Sequence, residues 1–344
     1  MEEEKNRCKE PWVDIVKWAA CMLVLLGHFF QSMEKSGIMQ ITEGYKWFEH
    51  TIYLFHVPLF FLCSGYLYQR NSVVTTKKEW KNNIFRKLVN LGVPYVSFST
   101  ISFLMKEIFS NSVNDENSSS LLKMLLLEAL SPYWYLYILF FLFLITWTFK
   151  DKKQIYIMLT FSVCIYFFHQ NPVIKEVYFL GGVAHREIWF IIGMILGFYH
   201  NKINFNVRYW GISFLLFPLS IIGYNKEMVI YAWIPYSLAA GICGCLLIFE
   251  TALFLNRRIP EKYVLFSRKN TLPVFLMHTI FAAGIRSALC RIGITNLAVH
   301  MILGIAGSIF LPVAATEIMR KFRWMYFFIN PGFGRKGSTE NIKI

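Results

Sequence analysis

Asp14, Lys17 and His28 lie in one long apolar stretch, WVDIVKWAACMLVLLGHFF, that runs from Trp12 to Phe30. At about 100° per residue, a helix places Lys17 about 60°, Cys21 about 20° and His28 about 40° from Asp14. A carboxylate, an ammonium and an imidazole therefore share one stripe. Along the axis His28 stands about 16 Å beyond Lys17, at about 1.5 Å per residue. A neutral imidazole can take a proton from a hydroxyl near neutral pH, and a cation can hold an anionic group. Ionisable groups in so apolar a helix are costly, so they face a bundle interior or a wet cavity and mark a path or an active site. The plainer alternative is an Asp14–Lys17 structural ion pair beside an unrelated core histidine.

The elements that must carry this stripe are helices in a bilayer. Crossing one takes roughly 20 mostly apolar residues, and runs of that kind recur along all 344 residues, of which 56% are hydrophobic and 18% aromatic. Soluble domains seldom carry so large an apolar share. The expected fold class is all-α, a polytopic integral membrane protein and a single membrane-embedded domain over 1–344. Ten spans are expected, at about 12–33, 51–68, 88–109, 133–149, 154–170, 186–200, 208–224, 229–255, 271–290 and 296–319, followed by a basic tail, 320–344. The sixth, REIWFIIGMILGFYH, is short and glycine-rich, and its glycines suit close helix contacts. The first apolar run is too long for a cleaved leader and reads as a retained span.

Loop charge sets the expected orientation. With the N-terminus inside, the inner segments hold 25 Lys and Arg and the outer ones, counting Lys106 and Arg186 at the outer edges of their spans, 8, the bias of the positive-inside rule. Both termini are then cytoplasmic, and the net charge of +14 reflects topology, not nucleic-acid binding. The outer loop about 110–132, with NSVNDENSSS, is polar and turn-rich and reads as a mobile or partner-facing segment. The tail KFRWMYFFINPGFGRK reads as an interfacial anchor on anionic lipid. The seven cysteines are odd in number, fall mostly in apolar runs and contain no CxxC. Neither a disulfide framework nor a metal site is expected, and Cys243 and Cys245 read as core fillers.

The second span, HTIYLFHVPLFFLCSGYLYQR, places His56 in the outer leaflet and Ser64 and Gly65 toward the cytoplasm. His56 is either a second polar partner near His28 or a histidine bonded to nearby backbone. Pro58 and Gly65 bend or thin this helix. Arg286 lies two turns beyond His278 and serves an anionic group or an oxyanion, or snorkels to the outer interface. Trp134 and Tyr135 face outward, where they stack on a sugar ring or join the interfacial aromatic belt. Glu317 reads as buried in the tenth span. His169, His185, His200 and His300 earn no role from position alone.

D-I-V-K followed by ten residues and His28, together with F-H-V-P-L-F-F-L-C-S-G-Y-L in the second span, resembles the opening signature of the membrane acyltransferase-3 family. Asp14, Lys17 and His28 match its acidic, basic and histidine positions, with Lys17 where many members carry arginine. FRKLVNLGVPY, from Phe85 to Tyr95, is similar to the family's basic loop, although its Arg-x-Arg pair is Arg86-Lys87-Leu88 here. YWYLYILFFLF around Trp134 and NTLPVFLMHTIF, ending past His278, are similar to later family segments. The resemblance implies ten helices with cytoplasmic termini in the cell's inner membrane. It also implies transfer of an acyl group, usually acetyl, from cytoplasmic acyl-CoA to a hydroxyl of a surface or secreted carbohydrate.

On that reading His28, Asp14 and Lys17 are catalytic. His28 acts as general base or as a covalent acyl carrier, while Asp14 and Lys17 hold one another and shape the cavity. Arg86, Lys87 and Ser64 bind the donor; His56, Trp134, His278 and Arg286 bind the acceptor. Acyl-CoA is a co-substrate, and no cofactor is held permanently. Two other classes compete. A transporter would use Asp14, Lys17 and His28 as a coupling relay, though no transporter-type repeat is visible. A lipid-facing scaffold would have no use for the ionisable stripe.

Overall fold

The computed structural model describes residues 10–110, 119–169, 171, 174, 176–222, 230–256 and 258–334. The expected outer-loop stretch at 111–118, the basic residues before position 10 and the end of the tail after 334 lie outside the described residues. Among those described the fold is helical, without a strand. Helices occupy all ten expected segments, and seven are long and apolar enough to cross a membrane. The Trp134–Ile145, Lys152–Phe168 and Val207–Ile222 helices are shorter, at 12, 17 and 16 residues.

Described residues up to Glu79, with Ile145–Thr271, form one compact unit. Its first helix, α1 (Pro11–Lys35), starts on a proline, which loses nothing at a position whose N–H has no helical partner. It ends at Gly37, whose φ of +72° is the left-handed geometry that favours glycine. Thr42 then caps α2 (Glu43–Asn71), its hydroxyl accepting from the Tyr45 N–H at 3.1 Å. The two helices form an antiparallel hairpin that places Tyr53 beside Gly27. Helix α2 begins eight residues before the apolar run. Hydropathy sees only the lipid-immersed part of a helix, whereas the polar turns at its ends fold with it.

In the chain's next stretch the expected basic loop is also helical. Helix α3 (Lys77–Lys87) passes through one wide turn, Leu88–Gly92, into α4 (Val93–Ile108). Arg86 and Lys87 thus sit on a helix and not on a loop. From Trp80 on, these helices belong to the second unit, Trp80–Leu144 with the described residues from Leu272 on. It also contains α5 (Leu121–Leu126) and α6 (Trp134–Ile145). Lys123, bridged to Glu128 at 2.6 Å, holds that carboxyl below the usual carboxylate range.

Back in the first unit, α7 (Lys152–Phe168) packs on α8 (Tyr178–Phe198), and α8 on α2. The α2–α8 pairing is a backbone contact. A Cβ on Gly65 would fall 2.0 Å from the Phe190 carbonyl oxygen, and one on Gly193 would fall 2.0 Å from that of Leu62. This is the close approach that small residues permit between membrane helices, and it agrees with the reading of the sixth span. Helix α9 (Val207–Ile222) lies on α10 (Ile230–Leu255), which packs on α1 and α2. Cys245 is buried there, its thiol 3.7 Å from the Phe55 carbonyl.

Helix α11 (Glu261–Arg291) begins ten residues before the expected span. Its later part joins the second unit with α12 (Leu297–Lys321) and the short α13 (Arg323–Phe327). Tyr133 donates to the Leu276 carbonyl at 2.9 Å and ties α11 to the start of α6. Glu317 is not buried as expected. It is half-exposed on α12 and pairs with Arg320, three residues on, at 2.5 Å, as the i,i+3 geometry of a helix allows.

Candidate active site

In the first unit the α1 stripe has different partners from those its spacing suggested. Asp14 is bridged by Arg268 of α11, whose Nε and one terminal nitrogen each lie 2.7 Å from Oδ2. No ion pair between Asp14 and Lys17 occurs among the described residues, so the expected mutual pairing of these two is corrected. The reason is geometric. A guanidinium presents a planar fork to a carboxylate, and Arg268 places two of its nitrogens on the same Asp14 oxygen. One turn further, Cys21 is buried with its thiol 3.6 Å from the Thr271 carbonyl.

The bridge has a measurable consequence. Side chains at Asp14 and Arg268 are 17% and 34% exposed, between a surface pair and a buried one. A double-mutant cycle with Asp14→Asn and Arg268→Gln, read by thermal unfolding in detergent, is expected to return a coupling of about 1–2 kcal/mol. The same cycle run with Lys17→Gln should return less than about 0.5 kcal/mol. A larger coupling to Lys17 than to Arg268 would reinstate the i,i+3 pair.

His28 sits near the other end of α1, half-buried. Gln31, three residues on, falls on the same face of the helix. The Gln31 amide donates to Glu49 Oε1 at 2.7 Å. One turn beyond Tyr53, His56 is 3% exposed. Its Nδ1 faces the Ile52 carbonyl at 2.5 Å; a carbonyl only accepts, so Nδ1 carries the proton and Nε2 the lone pair. The rings of Tyr53 and His56 meet edge-on at 4.6 Å. His56 lies close enough to His28 and to Arg186 of α8 to feel the charge of both. Of the two readings of His56, the backbone bond is the one its geometry displays. Ser64 is two turns down α2, half-buried.

Arg186 belongs to a polar cluster that position alone did not single out. His169 and His185 stack with centroids 4.3 Å apart and planes 7° from parallel, with Tyr166 beside both rings. The Tyr166 hydroxyl is 3.3 Å from Ser237 Oγ.

On α1 the stripe is not the only polar surface. A cavity of 820 Å³ is lined by Glu10, Trp12, Tyr66, His200 and Arg258 among others. Trp12 leaves α1 about 160° away from Asp14, so this cavity lies behind the stripe.

The remaining candidates lie in the second unit. Lys87 Nζ is 3.7 Å from the centre of the Phe143 ring, a cation–π contact, and Arg86 reaches Asn83 Oδ1 at 3.4 Å. His278 is 1% exposed, and its Nδ1 donates to the carbonyls of Val274 and Phe275 at 3.1 and 2.9 Å. Arg286 is 5% exposed; it is buried and does not snorkel to an interface. Trp134 is half-buried. Its neighbour Tyr135 is buried against Phe275, with centroids 5.7 Å apart, and so offers no outward face for a sugar.

Sequence reasoning missed Arg268, Glu49, Tyr53 and Arg186, which approach the stripe from other helices. Gln31 was within reach, because a residue three after His28 falls on its face. No curated protein and no solved structure matches the chain. A family model described as an acyltransferase domain does, over residues 10–317. That match takes in Asp14, Lys17 and His28 with their partners and nearly all of the helical fold, and the chain belongs to the acyltransferase-3 family.

Proposed function

We infer that this membrane acyltransferase moves an acyl group, acetyl in the simplest case, from cytoplasmic acyl-CoA to a hydroxyl of a surface or secreted carbohydrate. Ten helices, including the three shorter ones, cross the inner membrane with both termini in the cytoplasm, as the loop charge favours. The observation that carries the reading is His28. It is an imidazole inside a membrane helix, at the family's histidine position.

The chemistry balances on these groups. The acceptor hydroxyl gives its proton to a His28 ring nitrogen as its oxygen attacks the thioester carbonyl. The tetrahedral intermediate collapses, the carbon–sulfur bond breaks, and the imidazolium returns the proton to the departing thiolate. Products are the ester and CoA. Lys17, whose charge is not consumed by Asp14, attracts the anionic donor. His56, in the same unit as His28, is the candidate for contact with the acceptor.

Two measurements test this. Purified protein in liposomes is expected to release thiol from acetyl-CoA in the presence of an envelope glycan extract. A strain lacking the protein should lose base-labile acetyl groups from that glycan by mass spectrometry. Proton-linked substrate flux with no consumption of acetyl-CoA would replace the acyltransferase with a transporter that uses the same stripe as a relay.

A further inference from the structure

The 820 Å³ cavity behind the stripe takes no part in the proton transfer assigned to His28. Its volume is that of pockets that enclose small molecules. We propose that it binds an adenine nucleotide, with the base against aromatic rings and side-chain amides and the phosphates at Arg258. Two sources supply that chemistry, a free nucleotide such as ADP and the nucleotide end of acyl-CoA.

The cavity lies within the first unit, where α1 begins and α8 and α10 end. The loop charge places this end in the cytoplasm. One wall is rigid. Trp12 is buried, edge-on to Tyr66 and to Phe249, with both centroids at 4.8 Å. Its indole N–H donates to Glu10 Oε2 at 3.1 Å, and the Tyr66 hydroxyl donates to Glu10 Oε1 at 2.9 Å. Arg70 lies 3.7 Å from the same Oε1. Among the described lining residues Glu10 is the one carboxylate. Arg70 offsets its charge, so it does not repel a phosphate, and with its oxygens already taken it is a poor seat for an ammonium.

The opposite wall carries polar groups that the fold does not use. His200 Nδ1 donates to the Gly197 carbonyl at 3.2 Å, which leaves the Nε2 lone pair. The side-chain amides of Asn204 and Asn256 make no hydrogen bond among the described residues, and Asn256 Oδ1 is shut off from solvent without a partner. A buried acceptor in that state costs stability until a donor meets it. An asparagine amide matches the amino donor and the adjacent ring-nitrogen acceptor of adenine as a pair.

The rings of Phe205 and Phe254 stand 5.2 Å apart, and both are exposed. Either offers a face on which a base stacks. The Arg258 guanidinium lies 3.7 Å from the centre of the Phe254 ring, and its Nη1 donates to the Phe254 carbonyl at 3.0 Å. These two contacts fix the cation beside the stacking face, and its other N–H groups remain for phosphate oxygens. An interfacial aromatic belt would account for the two phenylalanines alone. It has no use for the amides, the imidazole lone pair and the fixed guanidinium.

The test uses ADP as the probe with the purified full chain in nanodiscs, read by equilibrium dialysis, and needs no transferase activity. The wild type is expected to bind ADP saturably and UDP about fivefold or more weakly. Phe254→Leu should weaken ADP about tenfold. Asn256→Ala should weaken it about tenfold and remove the preference over UDP. Arg258→Gln should weaken ADP about tenfold and leave adenosine unchanged. Phe254 and Arg258 are exposed, so their variants should unfold at the wild-type temperature without ligand.

Acetyl-CoA and S-acetylpantetheine, which lacks the nucleotide, distinguish the two sources. Displacement of ADP by acetyl-CoA alone assigns the cavity to the nucleotide end of the donor, and displacement by neither assigns it to a free nucleotide. Either result supports the site. Displacement by S-acetylpantetheine would put the bound ADP on the path of the acyl arm and overturn the proposal. So would a wild type without saturable ADP binding, or ADP binding that Phe254→Leu, Asn256→Ala and Arg258→Gln all leave unchanged. Loss of His28 as the base would alter none of these results, so the two readings stand or fall separately.

Discussion

Replacing His28 with alanine is expected to abolish acyl transfer while the protein still accumulates in membranes. A positioned general base contributes about 10²–10⁴-fold. The uncatalysed attack of a sugar hydroxyl on a thioester has no other proton acceptor proposed on the stripe, because Asp14 is committed to Arg268 and Lys17 is a cation. Folding should survive, since the ring is half-buried and alanine is the residue a helix interior tolerates best. The readout is acetyl content of the envelope glycan by mass spectrometry, normalised to the protein level by immunoblot. Acetylation near the wild-type level in His28→Ala would remove His28 from the chemistry. His56→Ala provides the contrast. That ring is buried against Tyr53, so its loss leaves a cavity costing about 2–4 kcal/mol and should lower yield as well as rate.

The stripe was legible because one helix carries all of it. Spacing on a single helix converts directly into angle, and Asp14, Lys17 and His28 needed nothing else. What those groups bond to was not legible, since it depends on which helices are neighbours. Arg268 is 254 positions from Asp14, in a stretch whose charge made it read as a loop. The same limit explains Tyr135 and Arg286. Alternation and hydropathy say how far along a helix a side chain sits, and only its neighbour decides whether that side chain meets Phe275, lipid or water. Helix ends were misjudged for a different reason. At α2, α3 and α11 the polar turns outside the apolar run are helical as well, because a backbone already ordered by the bilayer extends its hydrogen bonding past the hydrocarbon edge. The glycines of the sixth span carried more information, since small residues four apart in an apolar run have few uses besides helix contact.

That contact carries the second large effect. Gly193→Ala and Gly65→Ala are each expected to prevent stable folding, although alanine is ordinarily the better helix former by about 1 kcal/mol. The added carbon at Gly193 would stand 2.0 Å from the Leu62 carbonyl oxygen, and that at Gly65 2.0 Å from the Phe190 oxygen. Backbone atoms cannot rotate aside as a flexible side chain would, so α2 and α8 must separate by about 1 Å or more to reach ordinary contact distance. Gly197, one turn along, repeats the constraint with the Tyr66 carbonyl 2.8 Å from its Cβ position, so a tilt about one end offers no escape. Overpacking of this kind costs about 3 kcal/mol or more. It also pulls His56 on α2 from Arg186 on α8, which couples the fold to the candidate site. Gly211→Ala and Gly284→Ala are the controls, because a Cβ at either meets nothing within 4 Å; both should match or slightly exceed wild-type stability. The measurement is folded yield and thermal unfolding of detergent-solubilised protein. If Gly193→Ala melts with the two controls, α2 and α8 are not in backbone contact, and the placement of His56 opposite Arg186 loses its support.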